Sequence, residues 1–461
     1  MKKHGFISTL KALSGVLRRV VMPVLLAGLL AGCVADRPFQ NGPEGSVSAS
    51  VEDAGRAGQA GAPAYVLAHV EFDDQGWFHD VRQRQALFAK LRALKDDGKA
   101  MLVVTYTHGW KHNASEGDDN LANFRKLLTS LAGIERAAHR ANGPRTLVGV
   151  YIGWRGSSLP VAYLDNLTFW TRKNAAERVG ARSVKQLFIE LNQFRAYANG
   201  WNSPDELAES HETQLVFVGH SFGGLITYHA LYSDILARGL QVNQEGTYRM
   251  AKSFGDFVLL VNPAFEGASY EPIWRAATLR GCYSAWQKPV MAIVTSSADA
   301  ATRVAFPAGR LYTVFQSAPQ QGEREAVMQT VGHLERYRTH VLEKRPAGAA
   351  APPSSSGNPP GGAEPASRPN ARDTTPVGRY QLVRTSNAAP AHMPYLVIQA
   401  GPDLISDHSD FWNDAFRTFT VYFIASQILA PVAARSKDQP SPREACEAFA
   451  APVAPAALSA D

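Results

Sequence analysis

Ser221, Asp299 and His408 are the residues whose types and order along the chain can do chemistry together. A serine hydroxyl is a poor nucleophile at neutral pH. It needs a base within hydrogen-bond reach, and that base needs a carboxylate to fix its tautomer and stabilise the imidazolium. Ser221 stands in Gly219-His220-Ser221-Phe222-Gly223, directly after the apolar run Gln214-Leu-Val-Phe-Val218 and before Leu225, Tyr228 and Tyr232 at helical spacing. A G-x-S-x-G turn between strand and helix exposes the hydroxyl at a helix N-terminus, whose dipole favours developing negative charge. Gly219 and Gly223 are read as supporting positions where a side chain would not fit beside the nucleophile.

These segments, spread from about residue 65 to about residue 430, resemble the α/β-hydrolase family of serine esterases and lipases. The resemblance implies an α/β fold, a mostly parallel doubly wound sheet with loop or cap insertions. It implies the order nucleophile, acid, base, and an oxyanion hole with one side supplied by His-Gly after an early strand. Here that pair is His108-Gly109, after Met101–Thr107, so the N–H groups of Trp110 and Phe222 are the expected donors. The acid is expected at Asp299, with Glu266, at the end of the preceding strand, as its rival. The base is expected at His408, after the last strand. His333 and His340 are its rivals, set in the charged run Glu323–Lys344, which reads as a surface helix. His108 is read as a brace for its loop and His112 as a polar loop residue. A metal pair at His108 and His112 lacks a following glutamate and a third ligand, and no metal or cofactor is expected.

The elements that must position these residues are legible as apolar runs. Tyr65–Phe72, Met101–Thr107, Thr146–Trp154, Gln214–His220, Asp256–Phe265, Pro289–Ser297 and Tyr395–Ala400 read as strands. Helical patterns fill Val81–Leu94, Asn174–Phe194 and the stretch after Gly223, while Tyr270–Leu279 reads as a short cap helix. Near-continuous apolar strands alternating with helices predict a parallel sheet covered on both faces. Trp412, Phe416, Phe419 and Phe423, spaced four, three and four apart, predict a final helix packed back on the sheet. Trp110, Trp154 and Trp170 near the expected mouth suit an apolar or aromatic substrate, although tryptophans are also ordinary core residues.

The ends of the chain read differently. Lys2, Lys3, Lys11, Arg18 and Arg19 precede residue 33 with no acidic residue among them, so of the formal +6 only +1 belongs to residues 33–461. No basic tract suited to nucleic acid remains, and that class of partner is excluded. Val20–Cys33 is apolar but too short to span a bilayer comfortably, which suits a signal peptide over residues 1–32. Leu30-Ala31-Gly32-Cys33 resembles the lipobox of bacterial lipoproteins, which implies lipidation of Cys33, a membrane anchor, and a cell-envelope address. Val34 is not the aspartate that retains such proteins at the inner membrane, so the outer membrane is expected. Cys282 and Cys446 can pair or remain free thiols. Residues 33–63 read as a flexible tether, 64–430 as the hydrolase domain, 345–376 as a disordered Pro/Ala/Gly/Ser insertion within it, and 431–461 as a loose tail.

The expectation is a lipid-anchored serine hydrolase acting on small-molecule or lipid carboxylic esters. Its alternatives are a binding lipoprotein that keeps the scaffold without turnover, and a thioesterase or peptidase on the same triad.

Overall fold

A computed structural model of the chain describes residues 35–42, 47–54, 65–138, 143–157, 168–203, 212–240, 251–280, 283, 287–311, 323–346, 374–385 and 389–428. Their centre is an 11-stranded sheet. Its strands in chain order are β1 (Val51–Ala54), β2 (Tyr65–Phe72), β3 (Met101–Thr107), β4 (Thr146–Trp154), β5 (Gln214–His220), β6 (Phe257–Val261), β7 (Met291–Ser296), β8 (His340–Lys344), β9 (Thr374–Val377), β10 (Tyr380–Arg384) and β11 (Tyr395–Ala400). Across the sheet they run β1-β2-β4-β3-β5-β6-β7-β11-β8-β10-β9. From β2 through to β8 every neighbouring pair is parallel, and antiparallel pairs close both edges.

The parallel strands are apolar throughout because helices cover both faces. Successive side chains alternate between two cores: Leu215 and Phe217 of β5 point into one, Val216 and Val218 into the other. The first core takes its cover from α1 (Val81–Asp96), α3 (Phe169–Ala181), α4 (Ser183–Ala198), α5 (Phe222–Leu240) and α6 (Gly267–Leu279). The second is covered by α2 (Asp119–Ala137) and the helix Asp414–Ile428, whose Phe416, Phe419 and Phe423 are buried against the sheet. Two short helices, α7 (Phe306–Gly309) and α8 (Glu323–Met328), lie between β7 and β8, which makes Asp414–Ile428 α9. None of these helices is long and apolar enough to cross a membrane.

Several boundaries differ from the sequence reading. The run Asn174–Phe194 is two helices, broken at Arg182, where φ is −118° and ψ −114°. Glu323–Lys344 is not one surface helix: only Glu323–Met328 is α-helical, and His340–Lys344 is strand β8. The insertion assigned to 345–376 ends earlier, since Thr374–Pro376 belong to β9. A proline fits there because β9 is the outermost strand of the sheet, where an amide is dispensable.

Residues 33–63 are likewise not all tether. Val51–Ala54 pair with β2, and the segment 35–42 is docked on the domain. The buried Glu71 carboxylate accepts from the amides of Phe39 (2.8 Å) and Gln40 (2.8 Å), and Asp36 pairs with His79 at 3.1 Å. A buried carboxylate requires donors, and the chain brings these back to it. Residues 1–32, read from the sequence as a signal peptide, Cys33, Cys282, Cys446 and the residues from 431 on lie outside the described residues.

Candidate active site

The loops that leave β3, β5, β7 and β11 all emerge at the carboxyl edge of the parallel strands, where open α/β sheets place their sites. Ser221 occupies the turn between β5 and α5 with φ +55°, a left-handed conformation that costs a serine roughly 1–3 kcal/mol. Neighbouring backbone holds it there: its amide donates to Val261 O, and its carbonyl accepts from Ala264 N, both at 3.1 Å. A Cβ on Gly219 would lie 2.6 Å from Gly223 O, and one on Gly223 would strike the carbonyls of Thr107 and His108. The two glycines are therefore steric requirements of the elbow.

The three chemistry-bearing residues meet. His408 Nε2 lies 2.8 Å from Ser221 Oγ, and His408 Nδ1 lies 2.8 Å from Asp299 Oδ2. A carboxylate only accepts, so Nδ1 carries the proton and Nε2 presents its lone pair to the serine hydroxyl. Asp299 is fully buried. Burial alone would raise its carboxyl, but hydrogen bonds from His408 and from the hydroxyl and amide of Thr302 hold it down at about 2. Ser221 is 3% exposed and the His408 side chain 21%, so solvent reaches the pair chiefly along the imidazole.

The rival acid is committed elsewhere. Glu266 Oε1 sits 3.0 Å from Lys173 Nζ and 2.8 Å from Arg310 Nη1, where α6 begins. Among the rival bases, His340 hydrogen-bonds Oγ1 of Thr339, the residue just before β8. His333 is not the solvated surface residue that the charged run suggested. Its Nε2 lies 2.9 Å from Thr302 Oγ1, and burial lowers it to about 4.

The loop after β3 abuts the nucleophile. A Cβ on Gly109 would lie 3.0 Å from Ser221 Cβ and 2.9 Å from His220 Nδ1, so only glycine allows this approach. His108 is buried and spans its loop and β4: Nδ1 donates to Gly109 O at 2.9 Å, and Nε2 accepts from Trp154 N at 3.1 Å. With both nitrogens used and burial lowering it to about 4, the ring is neutral. His112 pairs with Asp118 at 3.1 Å. Trp110 follows Gly109 on this loop. Phe222 is the first residue of α5, one of the positions whose amides have no acceptor within the helix.

Two positioning contacts were not legible as functional. His220 Nε2 and Asn262 Nδ2 both donate to the backbone carbonyl of His408 at 3.0 Å, one from each flanking strand end. Asn262 also accepts from Ser296 N at 2.9 Å and has φ +44°. Asn262-Pro263 after an apolar run was the available signal, since asparagine tolerates the left-handed region. His220 stacks on Phe411 with ring centroids 3.9 Å apart, and burial keeps it neutral.

An aromatic bank borders the serine. Phe169 packs on Phe222 (4.9 Å), Trp110 (5.2 Å) and Trp170 (5.1 Å), and Trp170 packs on Phe306 (5.7 Å). Trp154 lies deeper, stacked on His108. The arrangement can transfer a proton from a hydroxyl to an imidazole backed by an ionised carboxylate, beside an apolar wall.

No family model matches this chain. No curated protein matches it either. Among solved structures, the phospholipase PlaB from Legionella pneumophila in complex with thio-NAD is 12% identical over 75% of this chain, with a TM-score of 0.26. The match spans 61% of that phospholipase.

Proposed function

We propose that this protein is a serine hydrolase that cleaves carboxylic esters through an acyl-enzyme on Ser221. One observation carries the reading: an unbroken hydrogen-bonded path of 2.8 Å and 2.8 Å from Ser221 Oγ through the His408 ring to Asp299. His408 Nε2 takes the hydroxyl proton as Oγ attacks the ester carbonyl. The N–H groups of Trp110 and Phe222 receive the oxyanion, aided by the α5 dipole. His408 then returns the proton to the departing alcohol, and water repeats the sequence to release the acid. The bank of Trp110, Phe169, Trp170 and Phe222 suits an apolar acyl chain or aromatic alcohol. The lipobox-like Leu30-Ala31-Gly32-Cys33 supports a lipid anchor at the bacterial outer membrane, which would present lipid esters to the site.

A fluorophosphonate probe tests the chemistry directly. Wild type is expected to label and Ser221→Ala not to. A panel of p-nitrophenyl esters of rising chain length then reads the acyl preference. A folded wild-type protein that fails to label, or labelling that persists in Ser221→Ala, overturns the reading.

A further inference from the structure

Beyond Asp299 the hydrogen-bonded path continues. Thr302 lies in the π-helical turn Ala301–Ala305 that follows the carboxylate, and it embraces Asp299 twice: its amide donates to Oδ1 at 3.0 Å and its hydroxyl to Oδ2 at 2.5 Å. A hydroxyl has one proton. Once that proton is given to the carboxylate, Thr302 Oγ1 can only accept from its remaining neighbour. That neighbour is His333 Nε2 at 2.9 Å, so the His333 tautomer carries its proton on Nε2. The turn Val331–His333 that carries the ring is itself fixed: Thr330 Oγ1 donates to Thr302 O at 3.3 Å, and Gly332 packs so closely on Thr295 of β7 that a Cβ would overlap its hydroxyl.

We infer that His333, acting through Thr302, is a positioning residue for the Ser221 reaction, holding the Asp299 carboxylate in the rotation that aims Oδ2 at His408. The inference rests on the serine-hydrolase reading and extends it by two residues. Oδ2 receives both the His408 Nδ1–H and the Thr302 O–H, so its direction is set by two donors whose positions are fixed by different elements. A donor into the Thr302 oxygen polarises the hydroxyl and strengthens its own donation. The ring does this without charge. Burial, together with Arg303 and Arg338 nearby, opposes protonation of His333, while Asp299 favours it and His408 opposes it less strongly. A neutral donor orients the carboxylate and leaves its negative charge available to the imidazolium of His408. A lysine or arginine in the same place would compete for that charge.

The test compares five full-length proteins: wild type, His333→Leu, His333→Gln, Thr302→Val and Thr302→Ser. Each is normalised to the fraction that labels with fluorophosphonate, and kcat and KM are measured on one p-nitrophenyl ester. His333→Leu and Thr302→Val are expected to lose about tenfold in kcat, the scale of one hydrogen bond to a charged group, with KM within about twofold. Glutamine restores a side-chain donor and serine a hydroxyl, so His333→Gln and Thr302→Ser are expected to recover most of kcat. A purely structural His333 would lower Tm and the labelled fraction and leave kcat per labelled site unchanged in His333→Leu; that result overturns the inference while the hydrolase reading stands. Equal loss in His333→Leu and His333→Gln overturns it as well. Wild type that neither labels nor turns over removes the hydrolase reading, and this extension with it.

Discussion

The rims after β6 and β7 are neighbours in the sheet, and each ends in a buried carboxylate, Glu266 on one and Asp299 on the other. By strand-end position alone either is a credible partner for a histidine. Their surroundings separate them. Glu266 is held by two cations, Lys173 and Arg310, and its site neutralises charge where α6 begins. Among the described residues no lysine or arginine side chain hydrogen-bonds the Asp299 carboxylate; its oxygens accept from an imidazole, a hydroxyl and an amide. A carboxylate neutralised by cations has little field left for a developing imidazolium, whereas one solvated by neutral donors keeps it. Place along the chain makes a residue eligible; the charge of its partners decides what it does.

The sharpest way to break this contrast is to neutralise each carboxylate in turn. Asp299→Asn is expected to lower kcat by about 10³–10⁴-fold, the scale seen when a triad loses its acid, because the amide favours the wrong tautomer of His408. Glu266→Gln should leave kcat within a few-fold. It should instead lower unfolding free energy by about 1–3 kcal/mol, because Lys173, with a side chain only 3% exposed, loses one of its two carboxylate partners and keeps Glu177. Denaturant melts and kcat measured on the same two variants suffice. Exchange of the two phenotypes would make Glu266 the acid.

A smaller effect is expected at Asn262, which belongs to the β6 rim yet serves the β7 side by holding His408 from behind. Asn262→Gly keeps the φ of +44° accessible and deletes two side-chain hydrogen bonds. A loss of about tenfold in kcat with little change in KM is the expected outcome. An unchanged kcat would show that His220 alone fixes the histidine.

The pH dependence of stability sharpens the comparison from the other direction. His69, His108 and His333 sit near 4 in the folded protein, against 6.5 when free. Below pH 6.5 the unfolded chain takes up protons that the folded one refuses, so stability falls as pH drops from 6.5 to 4 and this loss levels off below 4. Each such histidine is worth on the order of 3 kcal/mol across that window. Asp299 runs lower: its folded value of about 2 lies below the free 3.8, so its contribution is present above 3.8 and lost only as pH approaches 2. Tm measured from pH 7 to 3 should therefore fall mainly between 6.5 and 4, and less steeply in His69→Gln. A flat profile over that window would contradict the buried, neutral assignment.

The central strands were legible because burial on both faces demands uninterrupted apolar runs, as in Gln214–Val218 and Tyr395–Ala400. Strands β8, β9 and β10 were not. His340-Val-Leu-Glu-Lys344, Thr374-Thr-Pro-Val377 and Tyr380-Gln-Leu-Val-Arg384 mix charge, polarity and a proline, because strands toward the edge are only partly buried. The elbow, the His-Gly loop and the residues at 299 and 408 could be named from type and position. Thr302, His333, Asn262 and the docking of Phe39 and Gln40 could not. They act through side chains and amides brought together by the fold, and a charged run such as Glu323–Lys344 gives no sign that one of its histidines is turned inward.

The order of strands also has a consequence in time. β11 lies between β7 and β8 although it is made after both, and it delivers His408. Until β11 docks, a folding chain carries the elbow and an open β7 edge. Until then the serine lacks the His408 imidazole, 2.8 Å from its hydroxyl in the finished fold, that the proposed proton transfer needs.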